Sequence, residues 1–202
     1  MKIGVVFPQT EIGRDPAVIR DYAQAVEAMG YTHIFAFDSV VKRIEEQLDL
    51  MRLLWTRDLV RYEGRFHRVP DAGINPLPVQ QPIPVWMGGD SEVVIRRAAR
   101  LADGWITLPS FRPDPAGQQT VDRLHALIRE AGRDPAAFGI EARMALATTP
   151  VEQRANDSAA WRAMRGITHL CVNTMGLGLP GPEAHVGMLE RFKKDVLSSL
   201  TA

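Results

Sequence analysis

Short apolar runs alternate along the whole chain with stretches in which apolar side chains recur every three or four residues. Ile3 to Phe7 reads as a first strand. The helix after it places Ile19, Tyr22, Ala23, Val26 and Met29 on one face and stops at Gly30. His33 to Asp38 reads as a second strand, and the next helix carries the stripe Ile44, Leu48, Met51, Trp55. From Glu63 to Pro84 the chain is polar and proline-rich, with Pro70, Pro76, Pro78 and Pro82, which excludes a helix and predicts an ordered excursion on the surface. Val85 to Met87 reads as a third strand ending in Gly88-Gly89. Asp90 or Ser91 then caps a helix through Val94, Ala98 and Leu101. Trp105 to Leu108 is the fourth, followed by a helix with Val121, Leu124 and Ile128 that closes at Gly132. The fifth, Phe138 to Leu146, leads into "TPVE" (Thr149 to Glu152), a capping box with Pro150 at the first helical position. The sixth, His169 to Thr174, passes through "GLGLPG" to a last helix with Val186, Leu189, Phe192 and Val196.

Six strand–helix units in succession predict an α/β fold with a parallel sheet and helices outside it. A βα barrel takes eight units over about 250 residues. The 202 residues here fall two units short of closure, so pattern alone leaves an open doubly wound sheet and a barrel both standing. Between the second strand and its helix lie only Ser39, Val40 and Val41, a legal short loop in which Ser39 serves as a cap.

Charge and composition narrow the partners. Lys plus Arg and Asp plus Glu both number 24, so no field of one sign draws in nucleic acid or anionic lipid. The apolar runs are strand-sized, far below the ~20 residues that span a bilayer, and the run in MKIGVVFPQT is too short for the core of a signal peptide. A cytoplasmic protein without nucleic-acid or membrane partners is expected. The single cysteine, Cys171, excludes an internal disulfide and reads as a small core residue. His33, His67, His125, His169 and His185 show neither H-x-x-x-H nor H-E-x-x-H spacing, so no metal site is expected. The P-loop and the nucleophile elbow are absent.

Two glycine-rich stretches remain. Gly176 to Gly181 matches G-x-G-x-x-G, but no strand with an acidic residue follows before Ala202, and Pro180 stiffens the loop, which excludes a nicotinamide site. In "VWMGGDSEVVIRRAARLADGW", residues 85 to 105, a strand ends in two glycines that let backbone N–H groups approach a ligand. The helix that begins at once aims its amides and dipole at the same place. That is an anion site suited to phosphate, or simply a tight turn. Asp38 and Ser39 end a strand where barrel active sites lie, and read equally as a loop carboxylate and a cap. Arg143 and Asn173, polar residues in apolar strands, are explained by the pairing that buried polar groups need.

Taken together, "MKIGVVFPQTEIGRDPAVIRDYAQAVEAMGYTHIFAFDSVV", the segment from Leu53 to Trp105 and "GITHLCVNTMG" resemble the bacterial luciferase-like family of flavin and deazaflavin oxidoreductases. The middle segment carries the most specific signature: a G-x-F turn, a proline-spaced crossing, a strand ending in Gly-Gly, and Ala-Asp-Gly-Trp. The resemblance implies a single luciferase-like TIM (β/α)8 barrel domain over residues 1–202, the six units being its first, second and fifth to eighth. The third and fourth are absent from this sequence, so the Val41–Lys42 junction reads as a join across a missing segment. A flavin-type cofactor, coenzyme F420 or FMN, is implied across the C-terminal mouth with its phosphate near Gly88 and Gly89. Asp38, Met87, Gly88, Gly89, Asp90, Ser91 and Thr107 are the implied cofactor-binding residues, with Asp38 and Ser39 catalytic. The deazaflavin branch often has histidine where Ser39 stands, and a serine hydroxyl cannot act as its general base near neutral pH. The implied activity is hydride transfer between F420 and a small organic substrate. An FMN-dependent monooxygenase is the alternative in the same fold, and a non-catalytic flavin-binding protein with a shortened barrel the alternative of another class. A homodimer is implied by the family and by Leu50, Leu53 and Leu54 beside the second-helix stripe.

Overall fold

The computed structural model describes residues 1–8, 11–13, 15–35 and 43–197. Asp38, Ser39 and the Val41–Lys42 junction lie outside the described residues. In chain order the elements begin with β1 (Lys2–Val6), α1 (Pro16–Ala28), β2 (Ile34–Phe35), α2 (Ile44–Thr56), β3 (Val60–Glu63) and β4 (Arg68–Ala72). They continue with β5 (Trp86–Gly88), α3 (Glu92–Leu101), β6 (Gly104–Ile106), α4 (Pro115–Glu130), β7 (Gly139–Ala145), α5 (Arg154–Ala163), β8 (His169–Asn173) and α6 (Pro182–Phe192). The chain divides into two compact units, Met1–Ala36 with Trp86–Ala202, and Phe37–Val85. Among the described residues no helix is long and apolar enough to cross a membrane.

The larger unit is built on a parallel sheet of order β2-β1-β8-β7-β6-β5. Each successive strand from β5 to β8, then β1 and β2, is added in the same direction. A doubly wound sheet must reverse direction at a switch point, and this order has none, which removes that alternative. Right-handed crossovers added in one direction place all their helices on one face. That face is apolar: the registers put Ile3 beside Leu170 and Ala142, and Val5 beside Val172 and Met144. Val5, Leu170, Val172 and Ala142 are fully buried, as are Leu124, Val121 and Leu189 from the helices. The opposite face is polar, with Gly4, Cys171 and Arg143 in one cross-strand row and Lys2, His169 and Glu141 in another.

The helix stops follow the sequence reading. Gly30 and Gly132 end α1 and α4 at φ of 82° and 72°, the left-handed conformation that glycine adopts without a Cβ clash. The capping box does not form. Pro150 is the cap of a 3-10 turn over Val151–Gln153, and the cap of α5 is Gln153, with no side-chain hydrogen bond at either position. Arg154 reaches back instead, donating to the carbonyls of Leu146 and Thr149.

In the smaller unit, β3, which leads into the stretch expected to be an ordered surface excursion, and β4 within that stretch form an antiparallel hairpin. A two-stranded ribbon has a free edge on each strand, and β4 tolerates Pro70 because the register is irregular between Val60 and Tyr62. Glu46 of α2 organises the G-x-F turn. Its carboxylate accepts from the amides of Phe66 and His67 at 2.9 and 2.6 Å, and pairs with His67 Nδ1 at 2.9 Å. Desolvation raises the Glu46 pKa, but His67 and these amides offset it and leave the carboxyl below its ordinary value. Leu48 and Leu50 of α2 are buried, so part of the apolar surplus behind the expected homodimer is used within the chain itself.

Candidate functional site

At the C-terminal end of β5 the chain passes through Gly88, paired with Ile106 of β6, to Gly89 at φ 122°. A side chain at Gly89 would be strained and would bring its Cβ within 3.1 Å of Val94 Cγ1. At Gly88 a Cβ would meet only ordinary contacts, with Ile106 at 3.7 Å and beyond. The loop is pinned from β6: Trp105, 1% exposed, donates its indole N–H to the Gly89 carbonyl at 2.7 Å. Ser91 is the cap residue of α3, yet its side chain makes no cap hydrogen bond. Its carbonyl takes the amides of Val94 and Ile95, so the amides of Glu92 and Val93 are left without a side-chain cap. Glu92 would oppose an anion there, but its carboxylate is bound by Arg96 at 2.7 Å and Arg123 at 3.0 Å, and the Arg123 hydrogen bond holds it below its ordinary pKa.

Among the expected cofactor residues, the structure brings Gly88, Gly89 and Ser91 together on this loop, with exposed Asp90 among them. Thr107, on the neighbouring β6 chain, is fully buried and its hydroxyl has no partner among the described residues. A buried hydroxyl with no partner among the described residues is a candidate for pairing with a polar ligand. Met87 is buried within β5.

Further along the same ends of β7 and β8 lies a cavity of about 230 Å³, lined in part by Arg112, Arg143, Thr148, Asp157 and Asn173. Asn173 Oδ1 accepts from the Met175 amide, which is the local pairing the sequence suggested for it. Burial lowers the pKa of Arg143, with Cys171 and Glu141 opposing that shift. A second constellation was invisible in the sequence. Glu11, after β1, accepts from the Gly176 amide at 2.9 Å and stands 3.2 Å from Nε2 of fully buried His185, at ion-pair distance but off the hydrogen-bonding line. Thr174 Oγ1 holds the other ring nitrogen at 2.8 Å. Burial lowers the His185 pKa and Glu11 opposes it. The glycine-rich loop at 176–181 is thus fastened to the first βα loop.

On the polar face, His33 Nε2 and Glu141 Oε2 are 2.5 Å apart, with the Glu141 side chain 2% exposed. Trp86 stacks on His33 at 6.3 Å between centroids, and His169 meets both rings edge-on. Desolvation, and after it the charge of His33, push His169 down to about 4.

The signature of the luciferase-like monooxygenase family matches residues 18–195. The chain belongs to that family. It is similar, at 39% identity over 80 residues, to an F420-dependent glucose-6-phosphate dehydrogenase from Segniliparus rotundus, covering 40% of this chain and 24% of that protein. The curated relatives are matched over 24% to 42% of their own length, so this luciferase-like chain spans less than half of them. A monooxygenase from Streptomyces bottropensis superimposes with a TM-score of 0.62 at 13% identity, covering 99% of this chain and 100% of that one. The F420-dependent tetrahydromethanopterin reductase of Methanopyrus kandleri gives 0.57 at 14% identity, covering 77% and 62%. At such identities the likeness is one of fold, and it places the parallel sheet among the luciferase-like barrels.

Proposed function

We propose that this chain is an oxidoreductase that moves hydride between coenzyme F420 and a small organic substrate. The observation that carries the reading is the β5–α3 loop, where two glycines lead into a helix start without a side-chain cap, in a family with F420-dependent members. Bound there, the deazaflavin supplies the hydride chemistry. The amides of Glu92 and Val93 and the α3 dipole would hold its phosphate. Thr107 would orient a polar edge, and exposed Asp90 would accept from hydroxyl groups of the ligand. Arg143 and Arg112 put fixed positive charge at the adjoining cavity, which is too small for a whole flavin-type ligand and suits a small substrate or one ligand arm. Asp38 and Ser39, outside the described residues, belong to the proposal as its catalytic residues by family likeness alone.

Gly88→Ala tests the site. It should leave thermal stability unchanged, because the added methyl meets ordinary contacts only, and weaken F420 binding by about tenfold or more, ~1.4 kcal/mol. Gly89 is unsuitable for this purpose, since its positive φ mixes folding with binding. Unchanged F420 affinity in Gly88→Ala sinks the assignment. Preference for FMN with oxygen consumption turns the reading to the monooxygenase, and tight binding without turnover of any reduced cofactor turns it to the shortened flavin-binding protein.

We also infer that the six strands are the first, second and fifth to eighth of a (β/α)8 barrel. The unreversed order supports this, with β2 and β5, the neighbours of the absent third and fourth strands, at its two edges. About 60 residues then belong between Val41 and Lys42. Peptide mapping of the native polypeptide should find no peptide in which Val41 is joined to Lys42, and finding one would overturn the interruption.

A further inference from the structure

We propose that His33, Glu141 and Cys171 form a binding site for a divalent cation of the zinc class, on the polar face of the sheet. One nitrogen, one carboxylate oxygen and one sulfur from these residues lie within 4.8 Å of one another. That is a donor set of the borderline-soft kind that zinc takes, with three protein ligands and a fourth position for water. Spacing along the chain could not reveal it, because the three residues come from the start of β2, from β7 and from β8.

The hydrogen bonding around His33 points the same way. Thr32 Oγ1 is 3.0 Å from the Ile3 carbonyl, to which only its hydroxyl proton can be donated. Its oxygen therefore accepts from His33 Nδ1, also 3.0 Å away. With the ring proton committed to Nδ1, Nε2 presents its lone pair to Glu141 Oε2 at 2.5 Å. At that distance a proton bridges them, and a zinc-class ion bonded at about 2.0–2.2 Å to each would replace it with the two atoms opened to about 3.4 Å. The Nδ1 bond is also the outer-shell contact that fixes a ligating imidazole in the right tautomer. Glu141 Oε1 is buried and has no hydrogen-bond partner among the described residues, so half of the carboxylate is unused. Cys171 has no exposure and faces the same carboxylate, which together with burial keeps its thiol protonated until a metal displaces the proton.

The surrounding groups set the strength. Arg143 lies close enough to Cys171 and Glu141 for their charges to act on it, and its own charge tempers the attraction for a cation. His169 is uncharged at neutral pH and packs edge-on against His33, its Nδ1 held by Thr168 at 2.6 Å. Binding releases the Cys171 thiol proton and the proton between His33 and Glu141 to solvent. His33, about a quarter exposed, is the way in. The bound ion would tie β2, which pairs with β1 through Ile34 and Phe35 among the described residues, to the middle of the sheet.

Cobalt(II) is the probe, titrated into the metal-stripped full chain. The expected result is one equivalent bound, with a sulfur-to-cobalt charge-transfer band in the near ultraviolet, displacement by zinc and a raised thermal midpoint. Cys171→Ser should abolish the band, and His33→Gln, at a position about a quarter exposed, should keep the fold and weaken cobalt binding by at least about tenfold. No binding, binding without the thiolate band, or unchanged affinity in His33→Gln each overturns the site. Because the readouts are spectral and thermal, they stand apart from the cofactor reading.

Discussion

Gly139→Val is expected to lower the stability of the larger unit by about 3 kcal/mol or more, and Trp86→Ala in the same chain is expected to recover much of that loss. Valine favours a strand, so nothing local opposes it. What opposes it is the Trp86 indole, which lies across two bare positions of the sheet. A Cβ at Gly139 or at Gly104 would collide with that ring. The registers Trp86↔Gly104 and Gly104↔Gly139 set the three residues in one row, so the ring has no way to slide aside along the strands. Trp86→Ala alone forfeits the half-buried ring, at a cost of about 2 kcal/mol given its partial exposure. Residues in direct contact couple, by about 0.5–3 kcal/mol, and here the sign must be favourable. Urea denaturation of the four chains of the cycle measures it. Simple additivity would mean that Gly139 is required for some reason other than the ring.

Trp105→Phe is the second large effect, and it separates folding from binding. Phenylalanine keeps most of the buried volume and the edge-on contact with Phe111, 5.4 Å between centroids. It removes the donor to the Gly89 carbonyl. Losing that bond and leaving a small void should cost about 1–2 kcal/mol of stability. The loop it anchors carries the proposed cofactor contacts, so F420 affinity should fall by about tenfold or more. Calorimetric binding paired with thermal melts makes the distinction. A stability loss with undiminished F420 affinity would make Trp105 a core residue and nothing else.

How far these features could be read from the sequence depended on whether they are local. The strand–helix alternation, the stops at Gly30 and Gly132 and the Gly88-Gly89 loop are encoded within a few residues, and they stand where the pattern puts them. The hairpin of β3 and β4 was missed because its strands are polar and interrupted by Pro70, so neither alternation nor propensity marks it. The capping box failed because Pro150 took the cap position itself and a 3-10 turn opened the helix. The Trp105 anchor, the Glu11–His185–Thr174 cluster and the His33–Glu141–Cys171 convergence were all illegible for one reason. Each joins side chains that only the parallel register of distant strands brings together. Thr107 was named by family likeness, and what its environment adds is an unsatisfied hydroxyl.

The place of β1 between β2 and β8 has a consequence for how the protein is made. β1 is an inner strand of the sheet, and its partner on one side, His169 to Val172, lies far along the sequence, with Lys2 paired to His169. Until that partner has been synthesised, the edge of β1 that faces β8 stays open. Such late, long-range pairing makes closure slow and leaves apolar backbone exposed in the meantime. The pairing of β1 with β8 is therefore a non-local step in completing the sheet.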